Sequence, residues 1–118
     1  MAHQKEYEVS VEETHHTQKL DAPSGTAITL AEQILEQIPG KKKWVNYESD
    51  NASELPIISK REDPAPGTHR IKYSSSIDDI EIIHTAHNRK GFALGAVLAA
   101  EFINGKKGIF SMKEVLGI

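Results

Sequence analysis

Apolar and polar residues alternate in the segment that opens the predicted fold. In "YEVSVEE" the apolar positions are Tyr7, Val9 and Val11, a period of two that is typical of a strand with one buried face. Further along the chain the apolar residues recur at spacings of three and four, which predicts an amphipathic helix. These helix positions are Ala27, Leu30, Ala31, Ile34 and Ile38. The helix is expected to end at Pro39 and Gly40.

Three more strands are predicted beyond this helix. "LPIISKRE" and "HRIKYSSSI" have strand composition and are joined by the proline-containing turn "DPAPG"; "IEIIHTAH" follows a turn at Asp78 and Asp79. The last two strands are close enough in sequence to pair as an antiparallel hairpin. A shorter strand can form around Trp44 and Val45, within an otherwise polar stretch. The mixed-charge stretch "SKRED" is interpreted as a strand end without a function of its own.

The last part of the chain predicts helices. From Phe92 to Ile103 the only charged residue is Glu101, so this helix is apolar nearly all round and is expected to be buried on more than one side. Ser111 and Glu114 have the spacing of a capping box and predict a short C-terminal helix. The whole pattern predicts an α+β fold, with a mixed or antiparallel sheet of about four strands and two main helices.

Composition narrows the class of protein. A chain of 118 residues with 38% hydrophobic and 26% charged residues has the size and composition of one folded domain. Its net charge of −3 provides no general basic field for nucleic acid, and the absence of cysteine excludes disulfides and thiolate metal sites. No apolar run reaches the roughly 18 residues of a membrane span, and no signal-peptide pattern is present. A cytoplasmic protein is therefore expected.

The stretch "DAPSGTA" predicts a site for anions at the start of the first helix. The first N–H groups of a helix have no partner within it and lie at the positive end of the helix dipole. Ser24 and Thr26 add hydroxyl donors, while Gly25 has no side chain to keep a ligand away from the backbone. Such a helix terminus binds phosphates and carboxylates.

Cationic side chains precede this helix terminus. His15 and His16 follow the first strand, and Lys19 lies three residues beyond the pair. Lysine supplies a full positive charge, and each histidine can supply one on protonation. The combination suits a small polyanion and provides proton donors that titrate near neutral pH, as general acid catalysis requires.

Simpler interpretations remain open at this point. An adjacent histidine pair is often a surface or capping feature, and the Ser-Gly-Thr stretch could serve only to cap a helix. A zinc site at the pair is not favoured, because metal-binding histidines usually lie two or four residues apart and no cysteine is available. Two such features within a dozen residues favour the anion site, and no metal is expected.

The motif "E-x-HH-xx-K-x-DAPSGTA" resembles that of dihydrodipicolinate reductase, also called 4-hydroxy-tetrahydrodipicolinate reductase. It covers Glu13, His15, His16, Lys19 and residues 21–27. "REDPAPGTHRIKYSSSIDDIEIIHTAHNRKGFALGAV" is similar to the strand-rich segment and long helix of that family, and "GIFSMKEVLGI" is similar to its terminus. The resemblance implies an enzyme of diaminopimelate and lysine biosynthesis, which reduces a cyclic unsaturated dicarboxylate with hydride from NADH or NADPH.

The resemblance also implies roles for individual residues. The first histidine of the family's pair is a proton donor or acceptor, which is His15 here, and the motif lysine, here Lys19, is assigned a proton-donor role. The substrate-contacting positions that the resemblance implies are His16, Ser24, Gly25 and Thr26. No cofactor-binding residue is assigned in this chain.

The nucleotide-binding half of that family is not recognised in this sequence. No G-x-G-x-x-G turn opens a helix, so residues 1–118 are interpreted as the C-terminal substrate-binding and tetramerisation domain, without the Rossmann-type N-terminal domain. The resemblance implies a homotetramer assembled through the sheet. The domain alone is expected to be inactive, because hydride transfer needs a cofactor held at a fixed distance. The alternative is a non-catalytic anion-binding or assembly module that retains the motif.

Overall fold

The structure is a computed structural model that describes residues 6–64 and 67–118, and it divides into two units that meet in sequence after His87. The first unit contains a five-stranded sheet and one helix, and the second contains two helices. The elements are β1 (Glu8–His15), α1 (Gly25–Gln37), β2 (Lys43–Val45), β3 (Glu54–Arg61), β4 (Thr68–Ser74), β5 (Asp79–Thr85), α2 (Lys90–Ile103) and α3 (Met112–Leu116). Among the described residues, no helix is long and apolar enough to cross a membrane.

The sheet is mixed, with strand order β2-β3-β1-β4-β5. β1 runs parallel to β3, and β3 runs parallel to β2, whereas β4 is antiparallel to both β1 and β5. The predicted α+β class and the hairpin of the last two strands are confirmed. The sheet has five strands rather than about four, because the short segment around Trp44 pairs with β3. Residues 65 and 66 of the predicted proline-containing turn lie outside the described residues.

The hydrophobic core lies between α1 and the strands β1, β2 and β3. The alternating pattern of β1 places Val9 and Val11 on the helix-facing side, and both are buried. The matching positions of β3 and α1 complete the core with Ala27, Ala31, Ile34, Leu55 and Ile57. The small alanines let the helix approach the sheet closely. Tyr7, the first apolar residue of the predicted strand, lies just before β1.

Both predicted helix starts have the expected caps. The Ser24 hydroxyl accepts a hydrogen bond from the Ala27 N–H at 3.1 Å and caps α1. At α3, the Ser111 N–H donates to Glu114 Oε2 at 3.0 Å and the Glu114 N–H donates back to Ser111 Oγ, which forms the predicted capping box. α1 ends at Gln37, just before the proline and glycine that were expected to stop it.

The core-side face of the sheet continues beyond α1 onto β4 and β5. Val11 lies opposite Ile71, and Ile71 lies opposite Ile82, so the three side chains share one face. On β5, however, Ile80 and Ile82 are 42% and 61% exposed. This unit therefore presents apolar surface on β5.

α2 is exposed in this single chain, and its predicted burial against another domain or subunit stays a prediction. No residue of α2 is buried in the structure, and Phe92, Leu94 and Val97 are each more than half exposed. Within its own unit, α2 packs against α3, a helix of only five residues that is too short to cover it. The apolar composition of α2 predicts a helix that is covered by a further domain or by another subunit.

Candidate functional site

The site begins with a buried carboxylate on β1. The period of two that buries Val9 and Val11 places Glu13 and His15 on the same face of the strand. The Glu13 side chain is fully buried, and the His15 side chain is 12% exposed. A charged residue at a core position requires polar partners, because an unpaired buried charge is very costly.

Glu13 has such partners on both carboxylate oxygens. Oε2 accepts a hydrogen bond from the Ser24 N–H at 3.0 Å, and Oε1 accepts one from Arg61 Nη1 at 3.2 Å. Burial alone would raise the pKa of Glu13, but the hydrogen bonds from Ser24, Ser59 and Arg61 outweigh it and hold the pKa below its usual value. Glu13 is therefore a fixed negative charge behind the start of α1.

Arg61 connects the end of β3 to the loop that carries the motif. Its Nη2 donates to the Asp21 carbonyl oxygen at 2.6 Å, while Nη1 bonds Glu13. Nearby, the Thr17 N–H donates to Asp63 at 3.0 Å. Arg61 is the last residue of β3, so the interpretation of "SKRED" as a strand end is confirmed, and its guanidinium bonds the buried carboxylate and the loop.

His69 is a further member of the site that the sequence analysis missed. It lies opposite Glu13 in the register of β1 and β4 and therefore faces the same side of the sheet. Its Nε2 is 3.4 Å from Ser24 Oγ and 4.0 Å from Glu13 Oε2. The rings of His15 and His69 meet edge to face, with centroids 5.1 Å apart. The alternation of His69, Ile71 and Tyr73 was the available signal for this face.

The two nitrogens of His15 have different surroundings. Nδ1 is buried and lies 3.5 Å from Glu13 Oε2, but it makes no hydrogen bond with the part of the chain that the structure describes. Nε2 faces Gly67, where an added Cβ would come within 3.3 Å of it. Gly67 has a φ of 150°, so a side chain there would be strained as well as crowded. Glycine at this position therefore avoids a side-chain contact with Nε2.

The surroundings of His15 favour its neutral form by lowering its pKa below the usual value. Its burial lowers the pKa first of all, and the nearby charges of Lys19, Arg61 and His16 lower it further, whereas Glu13 opposes them. Burial also lowers the pKa of His69, with a further contribution from His15. A neutral imidazole at rest can be converted to a proton donor when an anion binds nearby.

The cationic residues of the motif, Lys19 and His16, lie near the buried pair of Glu13 and His15. Lys19 Nζ is 3.1 Å from Asp21 Oδ1, and this hydrogen bond lowers the pKa of Asp21. The Lys19 N–H also donates to the carbonyl oxygen of His16 at 3.2 Å, which closes the turn after β1. His16 itself is partly buried. Lys19 is close enough to lower the pKa of His15 and of His69.

Gly25 and Thr26 form the exposed first turn of α1. The buried Ser24 joins this turn to Glu13, so the helix terminus and His15 are connected through one carboxylate. Both Gly25 and Thr26 are exposed, and a Cβ added to Gly25 would meet nothing within 4 Å. Their N–H groups are directed away from the helix body, as expected at a first turn. The turn can therefore accept a carboxylate.

Glu13, His15 and His69 also have the separations of a metal site, since one ligand atom from each lies within 4.8 Å of the others. Both oxygens of Glu13 already accept hydrogen bonds, however, and the guanidinium of Arg61 is 3.2 Å from one of them. The positive charges of Arg61 and Lys19 repel a cation at this position. The charge arrangement favours an anion at the mouth of the site.

We expect the free energy of unfolding to fall as the pH is lowered below the usual histidine pKa of 6.5. His15 and His69 have lowered pKa values in the folded chain, so the unfolded chain takes up protons first. Stability present above this pH is lost as the pH falls towards the folded-state pKa values. Protonation of Glu13 lowers the free energy of unfolding further, but only below the usual pKa of this group, 4.5.

Urea denaturation at a series of pH values would measure this loss. His69→Gln should reduce the pH dependence, because it removes one of the two buried imidazoles. The matched control is His87→Gln, since His87 is exposed. Equal pH dependence in the two variants would contradict the expectation.

The model of the family "Dihydrodipicolinate reductase, C-terminus" matches residues 1–116. The 4-hydroxy-tetrahydrodipicolinate reductase of Christiangramia forsetii is 61% identical over 112 residues, which cover 95% of this chain and 46% of that protein. The enzyme of the same name from Methanosarcina mazei is 40% identical over 116 residues, which cover 96% of this chain and 44% of that protein.

A solved structure supports the same assignment. A dihydrodipicolinate reductase from Paenisporosarcina sp. TG-14, with dipicolinate bound, is 28% identical and matches with a TM-score of 0.63. The match covers 86% of this chain and 42% of that one. The chain spans about half the length of the curated relatives that it matches. It therefore belongs to the C-terminal domain family of dihydrodipicolinate reductases.

Proposed function

We propose that this chain binds the substrate and transfers the proton in an NADH- or NADPH-dependent reductase that acts on 4-hydroxy-tetrahydrodipicolinate. The observation that carries the proposal is the connection of His15 and the α1 terminus through the carboxylate of Glu13. The similar solved reductase with dipicolinate bound supports a planar dicarboxylate as ligand. Diaminopimelate and lysine biosynthesis in the cytoplasm is the corresponding role.

A dicarboxylate would use the cationic and amide groups together. One carboxylate would accept hydrogen bonds from the N–H groups of Gly25 and Thr26, with the Thr26 hydroxyl as a further donor. The ammonium group of Lys19 and the side chain of His16 would contact the ligand from the preceding loop. Because opposite charge favours the protonated form, the bound anion would raise the pKa of His15.

Proton transfer is the chemistry that this chain would contribute. Hydride addition to a conjugated ring leaves negative charge, which a nearby acid must neutralise. His15 or Lys19 would supply that proton. The hydride itself comes from the nicotinamide of the cofactor. This sequence has no G-x-G-x-x-G turn, so we assign the cofactor to a dinucleotide-binding domain outside residues 1–118.

The sheet would also assemble the protein into a homotetramer. Ile80 and Ile82 extend the apolar face beyond α1 but are exposed, and β5 is an edge strand of the sheet. Exposed apolar surface and an open strand edge favour association with other copies. Light scattering should therefore give a mass well above the 13.1 kDa of one chain. A mass equal to that of one chain would contradict the assembly.

Calorimetry with pyridine-2,6-dicarboxylate tests the proposed substrate site. We expect Lys19→Ala to weaken binding by roughly 10- to 150-fold, the range for a charge-assisted hydrogen bond of about 1.5–3 kcal/mol. Thr26→Ala should weaken it by roughly 2- to 10-fold, because a neutral hydrogen bond is worth about 0.5–1.5 kcal/mol.

Matched controls are available on the same chain. Thr29 is exposed on the next part of α1, and Lys42 is exposed beyond the end of that helix. Thr29→Ala and Lys42→Ala should leave the affinity unchanged. Absence of heat at millimolar ligand, or equal losses in the control variants, would argue against the site.

A further inference from the structure

The environment of His15 constrains which of its nitrogens carries a proton. A neutral imidazole has one N–H and one lone pair. Nδ1 of His15 lies 3.5 Å from Glu13 Oε2, which is ionised and can only accept hydrogen bonds. A lone pair on Nδ1 would face a second acceptor and be repelled by it. A proton on Nδ1 would instead be attracted to the carboxylate.

Glu13 is held beside His15 Nδ1 by its own hydrogen bonds, although the two side chains do not form a hydrogen bond in this structure. Its Oε2 is held by the Ser24 N–H and its Oε1 by Arg61, so the carboxylate cannot rotate away without losing both hydrogen bonds. Arg61 is itself held by the carbonyl oxygen of Asp21. The carboxylate is fully buried, so water does not compete for it.

We propose that Glu13 is a positioning residue that binds the Nδ1 proton of His15 and leaves Nε2 as the atom that exchanges a proton with the substrate. This inference rests on the proposed function, because it assigns the geometry behind the proton transfer at His15. The position of Gly67 agrees with it, since a glycine there places no side chain against Nε2. No bond is made or broken at Glu13, which remains ionised throughout.

The contact between Glu13 and His15 also stabilises the positive charge of protonated His15. Among the described residues, the cationic or titratable groups near His15 include His16, Lys19, Arg61 and His69 besides Glu13. The charges of His16, Lys19 and Arg61 lower the pKa of His15, whereas Glu13 raises it. When His15 holds two protons, the Glu13 carboxylate is thus the group that favours the imidazolium.

His69 competes for the same carboxylate oxygen but is less well placed. Its Nε2 is 4.0 Å from Glu13 Oε2 and only 3.4 Å from Ser24 Oγ. A hydrogen bond between His69 and the Ser24 hydroxyl leaves Oε2 available to His15. His69 then supports the cap of α1 rather than the proton transfer.

Nitrogen-15 NMR of the histidine rings in the full chain tests the proposal directly. In the wild-type chain, His15 should be the Nδ1–H tautomer when neutral, although free histidine prefers Nε2–H. Glu13→Gln should shift the pKa of His15 to lower pH, because it removes the negative charge 3.5 Å from Nδ1. An Nε2–H tautomer at His15 in the wild-type chain would overturn the proposal.

Glu12→Gln is the matched control. Glu12 precedes Glu13 on β1 but faces the other side of the sheet, where it pairs with Lys60 and Arg70. This substitution should leave the tautomer and pKa of His15 unchanged, and equal shifts in the two variants would overturn the proposal. If Glu13→Gln does not fold, the wild-type tautomer alone decides. One Zn²⁺ bound per chain that shifts the resonances of both His15 and His69 would also overturn it.

Kinetics and ligand binding distinguish an error in the role of Glu13 from an error in the proposed function. In a reductase containing this chain, Glu13→Gln should lower kcat by roughly 10-fold or more and move the pH profile to lower pH, with KM little changed. A merely structural role would not move the pH profile. Dipicolinate binding with the opposite tautomer would defeat this inference alone, whereas failure of the wild-type chain to bind dipicolinate would defeat the proposed function.

Discussion

Replacing Glu13 by alanine is expected to lower the free energy of unfolding by about 3–5 kcal/mol. The substitution leaves the guanidinium of Arg61 without its counter-charge and the buried Ser24 N–H without its acceptor. It also opens a cavity where the fully buried side chain lay. Urea denaturation measures the loss, which is large against the total stability of a domain, about 5–15 kcal/mol.

Glu12→Ala provides the comparison for this loss. Glu12 is also on β1 and makes ion pairs with Lys60 at 3.4 Å and Arg70 at 4.0 Å, but its side chain is 30% exposed. Partly exposed ion pairs contribute about 0–1 kcal/mol. If both variants unfolded at the same urea concentration, the hydrogen bonds and ion pair of Glu13 would contribute no more to stability than the partly exposed ion pairs of Glu12.

Replacing His15 by asparagine is expected to lower kcat by roughly 10²- to 10⁴-fold in a reductase that contains this chain and a dinucleotide-binding domain. The expected cause is loss of the proton donor, so KM should change little. Steady-state kinetics with both reduced cofactors, NADH and NADPH, would measure it. The chain alone should give no turnover, because hydride transfer needs the cofactor of the other domain.

His87→Asn is the control for this experiment, since His87 is exposed and has no place in the proposed site. It should leave kcat unchanged. If His15→Asn retained full activity, His15 would not be the proton donor. If the reductase were inactive while the chain still bound dipicolinate, the non-catalytic anion-binding module would be favoured.

The sheet and the first helix could be predicted because their patterns are local. Alternation in β1 and the spacing of apolar residues in α1 each report burial on one side of one element. The fifth strand was harder, because β2 has three residues and is stabilised by its pairing with β3 rather than by its own pattern. The coverage of α2 could not be predicted, because apolar composition does not identify the surface that packs against a helix.

The candidate site was predictable only where it is contiguous in sequence. His15, Lys19 and Ser24 lie within one short motif, whereas Arg61 and His69 come from other strands and reach the site through sheet register. Pairing of strands that are far apart in sequence is not visible in local periodicity. One signal was present, since a carboxylate at position 13 continues the core-facing series of β1 and requires a buried partner.

The hydrogen bonds of Glu13 indicate which residues of the site can be substituted without destabilising the fold. Ser24 and Arg61 bond the buried carboxylate, so substituting either would disturb the scaffold together with the site. Gly25 and Thr26 are exposed, and the space around Gly25 is open. Engineering of ligand preference, for example towards larger or asymmetric diacids, should therefore randomise positions 25 and 26 and leave the buried carboxylate network intact.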